Sequence, residues 1–326
     1  MAKLFIALLA LGLVASASAM AMLPDEYVSF LKFMEDFKIE YPDETERAIR
    51  FEIFKENLAE IKRLNALHDG KTVFGVTQFS AMTKKEFGEK VLMDDQYKKQ
   101  DGIKYTKNPI TTATPASIDW REKNVVSKIK NQGQCGSCWA FSATAALESQ
   151  LAIKTGKHLL LSEQELLDCV TYNYGCAGGY LDTAYRYIGY WGQVAVDQYT
   201  PYSAEQNNCS VSTGAEKQAI KIQGYYDIIG GEESIATFVA ENGPVSFGIM
   251  CPEEMMHYQS GVLDVPDCKK TMVGWHALAI VGYTDDYWIV KNSWSDKWGE
   301  KGYVRFKRGV NFCLIDSSAG GPIIEA

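Results

Sequence analysis

Between Glu46 and Asn65 one set of positions recurs at steps of 4, 4, 3, 4 and 4: Glu46, Arg50, Phe54, Asn57, Ile61 and Asn65. At about 100° per residue these side chains fall within an arc of roughly 100°, one face of a single helix. The surrounding stretch, from Asp25 to about Asn65, is charged, free of cysteine and helical in period, with Pro24 and Pro42 as its expected breaks. Glu46 and Arg50 are spaced for an i, i+4 ion pair. On spacing alone the stripe is equally an ordinary docking face, because any surface helix needs one.

Residues 98–117 lose this periodicity; they are polar, punctuated by Gly102, Pro109 and Pro115, and read as an exposed linker open to proteolysis. Beyond it, Cys138 to about Lys154 is alanine-rich without Gly or Pro, a helix that starts at the cysteine. Ser162-Glu-Gln-Glu165 before an apolar pair has the form of a capping box opening a second helix. After Gly224 the character changes to short β-rich runs, Pro244–Ile249, Ala277–Val281, Tyr287–Val290 and Tyr303–Phe306. A helical half followed by a strand half predicts an α+β fold with a cleft between the halves.

Composition narrows the function classes. With 46% hydrophobic and 23% charged residues the chain is globular, and a net charge of -8 gives no footprint for nucleic acid or an anionic membrane. Lys3 followed by an apolar run to Val14, then Ala17-Ser-Ala19, reads as a secretory signal over residues 1–19. No other apolar run approaches the roughly 20 residues of a membrane span.

A secretory route permits disulfides. The eight cysteines are Cys135, Cys138, Cys169, Cys176, Cys209, Cys251, Cys268 and Cys313, all in the C-terminal two-thirds. If one is kept as a nucleophile, a second must stay unpaired, so the even count conceals two free thiols or none. Cys138 is the candidate, since a helix N-terminus stabilises a thiolate through its unpaired N–H groups. A general base is needed beside it. His68 precedes the linker, His158 follows the cysteine's own helix and His257 lies in a Glu/Met-rich stretch, whereas His276 opens a β-rich run. Asn292 follows the next strand, where its amide could orient the ring. The backbone N–H of Cys138 and the side-chain amide of Gln132 could hold an oxyanion. Cys135-Gly-Ser-Cys138 could instead be a zinc or redox pair. No second C-x-x-C or H-x3-H accompanies it, and no βαβ pattern surrounds it.

These residues together resemble the papain-like cysteine peptidases, in the cathepsin L-like branch, over nearly the whole chain. Asp119-Trp-Arg121 is similar to the family's mature N-terminus, Gln132–Ser142 to its nucleophile segment, and Gly175-Cys-Ala-Gly-Gly179 to its substrate-binding loop. Trp288–Tyr303 carries its Asn-Ser-Trp and Trp-Gly-x-x-Gly-Tyr patterns. Upstream, Glu46, Arg50, Ile53, Phe54, Asn57, Ile61 and Asn65 reproduce the ERFNIN signature of its inhibitory propeptide. The resemblance implies a papain-like two-subdomain fold with a β-barrel-like second half and an α-helical propeptide that runs backwards through the cleft. The implied organisation is a signal peptide (1–19), a propeptide (20–113) and a peptidase domain (114–326).

By the same resemblance Cys138 is nucleophile, His276 base and later acid, Asn292 orienter, Gln132 oxyanion donor, and Trp294 a shield over the His–Asn bond. Gly178 and Gly179 correspond to the backbone that pairs with an extended substrate. Tyr180, Leu181, Gly248, Ala277 and Ser318 correspond to the S2 pocket, which implies a bulky apolar or aromatic P2 residue and poor acceptance of Arg. The implied disulfides are Cys135–Cys176, Cys169–Cys209 and Cys268–Cys313, leaving Cys251 free. No occluding loop separates Gly179 from Cys209, which implies an endopeptidase. The expected partners are protein and peptide substrates and the chain's own propeptide, with no cofactor or metal, and the expected state is a monomer. The expected destinations are a lysosome or digestive vacuole, or export.

Departures from the family pattern modify these expectations. Trp275 stands before the histidine where Asp or Asn is common. The propeptide motif Gly-x-Asn-x-Phe-x-Asp reads Gly75-Val-Thr77-Gln-Phe79-Ser-Ala81, which implies altered acid-triggered release. Ser295 and Leu314 replace usual glycines, with shifted loops as the expected consequence. A binding or storage protein on the same fold, and an N-terminal unit acting as a free inhibitor, are the competing readings. The sequon Asn208-Cys-Ser210 has a cysteine at its centre.

Overall fold

A computed structural model describes residues 25–94, 103–105, 114–210 and 219–324. The expected signal (1–19) and most of the expected linker (98–117) lie outside the described residues. The N-terminal segment begins with α1 (Asp25–Phe37) and α2 (Glu44–His68). Asp43 caps α2 by accepting from the Glu46 N–H, and the helix stops where Asp69 turns left-handed at φ 47°. The helices pack through aromatic rings, Phe54 lying 5.4 Å from Phe30 and 5.1 Å from Phe33.

The periodic stripe of α2 does two jobs. Phe54 and Ile61 are buried, while its polar members bind the backbone that follows. Asn57 Nδ2 donates to the carbonyls of Ser80 and Met82, both at 2.9 Å. Asn65 pairs with both polar groups of Phe74, as a neighbouring strand would. Arg50 bonds Glu46 at 2.7 Å, both carboxylate oxygens of Glu86 and the carbonyl of Ala81. Glu86 lies in α3 (Lys84–Val91), whose reciprocal capping box with Thr83 the sequence reading missed. At Ser162 the expected box is only half formed. Ser162 accepts from the Glu165 N–H, but the Glu165 carboxylate turns to the Val194 N–H and the Tyr187 hydroxyl.

The C-terminal part opens with helices α4 (Cys138–Thr155), α5 (Glu163–Cys169) and α6 (Leu181–Tyr190) around a core that includes Trp139, Leu147, Leu166 and Tyr185. Among the described residues the strands form one ten-stranded sheet. Its centre is β5 (Val245–Pro252), β7 (Met272–Tyr283), β8 (Tyr287–Lys291) and β9 (Tyr303–Lys307), paired antiparallel. The N-terminal segment supplies strands near or at both ends. There β1 (Thr72–Phe74) pairs with β6 (Tyr258–Leu263), and β2 (Ile103–Tyr105) runs parallel to β4 (Gly224–Ile228). Unpaired edge groups are thereby covered by the chain itself. The last strand, β10 (Gly320–Ile323), joins β4 to β5, and the short β3 (Ile118–Asp119) pairs antiparallel with the end of β7. Strands β6 and β10 escaped the sequence reading because Gly261, and Gly320, Gly321 and Pro322, interrupt their alternation; β4 escaped it as a five-residue run that begins on Gly224.

Cys135–Cys176, Cys169–Cys209 and Cys268–Cys313 are bonded, and Cys138 and Cys251 are free and buried. Ser295 (φ 66°) and Leu314 (φ 68°) keep the left-handed backbone that glycine favours. The chain accepts about 1 kcal/mol of strain at each rather than a different turn there.

Arg50 joins α2, α3 and the loop between them. Replacing it with Ala is expected to lower the unfolding free energy of the full chain by about 3 kcal/mol, because Glu86 loses its partner. Arg50→Lys, which keeps charge without the fork, recovers less than half. Urea denaturation monitored by tryptophan fluorescence measures both; a loss under about 0.5 kcal/mol for Arg50→Ala contradicts the role.

Candidate active site

Cys138 is the first residue of α4 and is wholly buried. The loop before it is tied down by the Cys135–Cys176 disulfide and by the Gly136 N–H on the Cys176 carbonyl at 2.8 Å. Its sulfur therefore faces the unpaired N–H groups of the helix start. Across the seam the Ala277 N–H donates to that sulfur at 3.4 Å.

Ala277 follows His276, which lies inside β7 rather than opening it, since pairing begins at Met272. His276 Nε2 is 2.8 Å from Asn292 Oδ1, and the Ser293 N–H donates to the same oxygen at 2.8 Å. Two donors on one atom identify it as the amide oxygen, so Nε2 carries the ring proton and Nδ1 the lone pair. Asn292 reaches the ring because β8 ends at Lys291 and the Asn292 N–H turns to the Gly302 carbonyl at 3.0 Å. Trp294 stacks on the imidazole with centroids 4.5 Å apart and planes at 20°.

Gln132 is held by a residue the sequence reading did not single out. Its N–H donates to the Ser293 carbonyl, and its Oε1 accepts from the Ser293 hydroxyl at 2.6 Å. The amide NH2 is thus aimed at the cleft, where it donates to the carbonyls of Val91 at 2.8 Å and Cys135 at 2.9 Å. The signal was a hydroxyl between Asn292 and Trp294, whose value depends on a residue 161 positions away.

Val91 belongs to the N-terminal segment, whose residues 91–94 fill the cleft. Any Cβ at Gly136 would come within 2.5 Å of the Leu92 carbonyl, so only glycine admits this path. Met93 pairs with both backbone groups of Trp275, and the Asp94 N–H donates to the Ala177 carbonyl at 3.1 Å. Upstream, Phe79 and Phe87 stand edge-on to Trp294 at 5.1 and 5.4 Å, and Gln78 Nε2 donates to its carbonyl. This cover removes water from the reacting groups. Burial pushes the Cys138 thiol up to about 12, against the smaller effect of the Ala277 N–H, and pushes His276 down to about 4, against Asn292. Between those values both groups are neutral in the covered chain.

The other sequence-selected residues surround the same cleft. Ala277 and Gly248 are cross-strand partners, and Ser318 accepts the Gly248 N–H at 2.9 Å. Leu181, Ala277 and Met93 share one buried cluster. Tyr180 is clamped at both backbone groups by the Asn173 side chain. Gly178 differs from expectation: its N–H and carbonyl are used within its own turn, by the Gly175 carbonyl and the Tyr174 N–H, so the loop meets residue 94 through Ala177. Gly179 adjoins Trp139 and Asn173 too closely to admit a side chain.

Residues 114–323 match the papain family cysteine protease model, and residues 30–87 match the cathepsin propeptide inhibitor domain. Cathepsin L1 of Drosophila melanogaster is 36% identical, covering 96% of this chain and 90% of that protein. Against cathepsin F of the same organism, also 36% identical over 90% of this chain, the match spans 50% of the relative's length. Among solved structures, digestive procathepsin L 3 of the Tenebrio molitor larval midgut superposes with a TM-score of 0.82 at 34% identity, covering 93% of this chain and all of that one.

A neutral buried thiol reacts slowly. Alkylation of Cys138 by iodoacetamide in the full chain is expected to be slow and nearly flat between about pH 5 and pH 8, and to rise at least a hundredfold after cleavage between residues 95 and 113. Mass spectrometry of the labelled peptide reads it. Equal rates before and after cleavage contradict the covering role.

Proposed function

The chain belongs to the papain family of cysteine proteases, and on that premise we propose how its own residues perform and restrain peptide hydrolysis. Cys138, as thiolate, attacks the scissile carbonyl carbon, and the resulting oxyanion is held by Gln132 Nε2 and the Cys138 N–H. Collapse of this intermediate expels the amine, which takes the proton from His276 Nδ1 and leaves a thioester on Cys138. His276 then takes a proton from water, whose oxygen attacks the thioester, and the acid product leaves with the thiolate restored. Asn292 keeps Nε2 as a donor throughout. The observation that carries this reading is the Val91 carbonyl on the Gln132 amide, where a peptide oxygen already occupies the oxyanion donor.

The chain is made as an inactive precursor with residues 20–113 as propeptide, 114–326 as enzyme and 1–19 as secretory leader. The enzyme acts as a monomeric endopeptidase on protein and peptide substrates, in a lysosome or digestive vacuole or after export. Met93, seated with Leu181 and Ala277, supports an apolar S2 pocket with Gly248, Ser318 and Tyr180 around it. Gly179 and Trp294 complete the substrate-binding wall. The intact Cys138, His276 and Asn292 set argues against a binding or storage role. Labelling of the processed enzyme by an epoxide-type cysteine inhibitor, lost in Cys138→Ala, tests the function; hydrolysis surviving in Cys138→Ala refutes it. Peptide-library profiling is expected to favour Leu, Phe or Met at P2, and a preference for Arg there contradicts the pocket assignment.

Acid release has two sources in this chain. Ala81 offers Arg50 only a carbonyl, so Glu46 and Glu86 supply the carboxylates, and the bond of Glu86 with Arg50 holds its acidity at about 2. A depressed carboxylate contributes stability above its ordinary value near 4.5 and loses it as pH falls towards 2. His257 is buried where its carbonyl accepts the Gly75 N–H, and burial holds it down to about 4. Burial beside Glu60 and Lys84 of the N-terminal segment therefore keeps His257 neutral in the docked state, and docking weakens as falling pH favours the protonated ring towards pH 4. Acid activation of Glu86→Gln is expected to lose the step below pH 4.5 but keep the one above it. A profile of Thr77→Asn/Ala81→Asp identical to that of the natural sequence contradicts the altered-trigger reading.

A further inference from the structure

The nucleophile and the imidazole are carried by different layers, α4 and β7. Beside Asn292 the seam holds a cavity of about 20 Å³ lined by Ser142, Ala145, Ala277, Leu278 and Ala279 among others. Packing is incomplete there, so it alone does not fix how far the helix stands from the strand.

Three hydrogen bonds tie α4 to the sheet, two of them across this seam. The first is the Ala277 N–H on the Cys138 sulfur; one turn on, the Ser142 hydroxyl donates to the Leu278 carbonyl at 2.5 Å. Farther down, and outside the α4–β7 seam, Gln150 Nε2 reaches the carbonyl of Pro244, just before β5, at 3.3 Å. Helical serines and threonines ordinarily return their hydroxyl to their own helix. Ser149 and Thr155 do so here, onto the carbonyls of Ala145 and Leu151, whereas Ser142 leaves the helix for the strand. The Cys138 contact uses the reacting sulfur itself and is disturbed whenever that sulfur bonds carbon.

We infer that Ser142 is a positioning residue for peptide hydrolysis: its bond to the Leu278 carbonyl holds the helix of Cys138 against the strand of His276 while the sulfur changes partners. This rests on the roles proposed for Cys138 and His276. At i, i+4 from the thiol, Ser142 stands on the same helix face, and Leu278 lies two residues beyond the imidazole, so a shift at this bond moves the sulfur relative to Nδ1. A displacement near 1 Å is enough to cost on the order of a hundredfold in rate.

The test uses processed enzyme. Ser142→Ala is expected to lower kcat 10- to 100-fold with KM within twofold, and to move the acid limb of the kcat/KM profile and of Cys138 alkylation to higher pH, because a loosened pair stabilises the thiolate less. Gln150→Ala, which removes a bond of α4 to the start of β5 remote from the sulfur, lowers Tm but leaves both acid limbs in place. Ser142→Thr and Ser142→Val differ only by the hydroxyl, so any folding defect of size or shape is common to both. Activity and pH profile retained by Thr and lost by Val support the inference. Equal behaviour of Thr and Val, or an acid limb unmoved in Ser142→Ala, overturns it. Hydrolysis surviving in Cys138→Ala would instead overturn the underlying roles, a separate result.

Discussion

Cys138 and His276 share one seam from which water is excluded, and the rest of the structure follows from what that demands. Two buried groups of opposite chemistry exchange a proton usefully only if each can serve as the other's counter-ion and their separation is held by something other than themselves. The separation is held by the meeting of a helix and a sheet: α4 brings the sulfur to a helix start, and β7 brings the ring to the facing strand. Asn292 and Trp294 then fix the ring from the next connection, one through its oxygen and the other through its face. Ser293, between them, turns to Gln132. Three consecutive positions after β8 thus serve three sides of one site, which explains why the segment leaves the sheet there.

The N-terminal segment acts on the same constraint from outside. It places a peptide carbonyl on the Gln132 amide, pairs with Trp275 on the strand edge beside His276, and closes Trp294 between Phe79 and Phe87. Its grip on the enzyme comes from backbone pairing, with β1 on β6 and β2 on β4, and from the aromatic contacts around Trp294. Its internal shape comes from Arg50 and the two asparagines of α2, which hold the loop that carries Phe79. Inhibition is therefore steric and electrostatic at once. The cover that keeps peptide out also keeps the pair uncharged.

Much of this was legible in the sequence, and the residues show why. The helix face of α2 declares itself by period, and the helix start at Cys138 by composition; the contrast of helical and strand halves gives the α+β class. The polar stripe was ambiguous because Asn57 and Asn65 bind backbone carbonyls and an N–H, which any loop sequence supplies. Ser293 and Ser142 were invisible for the same reason: a hydroxyl's partner is 161 residues away in one case and 136 in the other, and no local pattern encodes it. Glu165 had the spacing of a capping box, but tertiary partners outbid the local one, while Thr83 and Glu86 formed the box without an apolar run to announce it. At Ser295 and Leu314, where glycine is usual, the side chains present stand in the left-handed region that glycine favours.

The central claim is that the propeptide holds Cys138 and His276 as a neutral pair and that its removal lets them charge. Nitrogen-15 chemical shifts of the His276 ring, followed against pH in precursor and in processed enzyme, read this directly. The account predicts a neutral ring with its proton on Nε2 down to about pH 4 in the precursor, and a doubly protonated ring across the acidic to neutral range once residues 91–94 have left. An imidazolium already present near pH 6 in the intact precursor would contradict it.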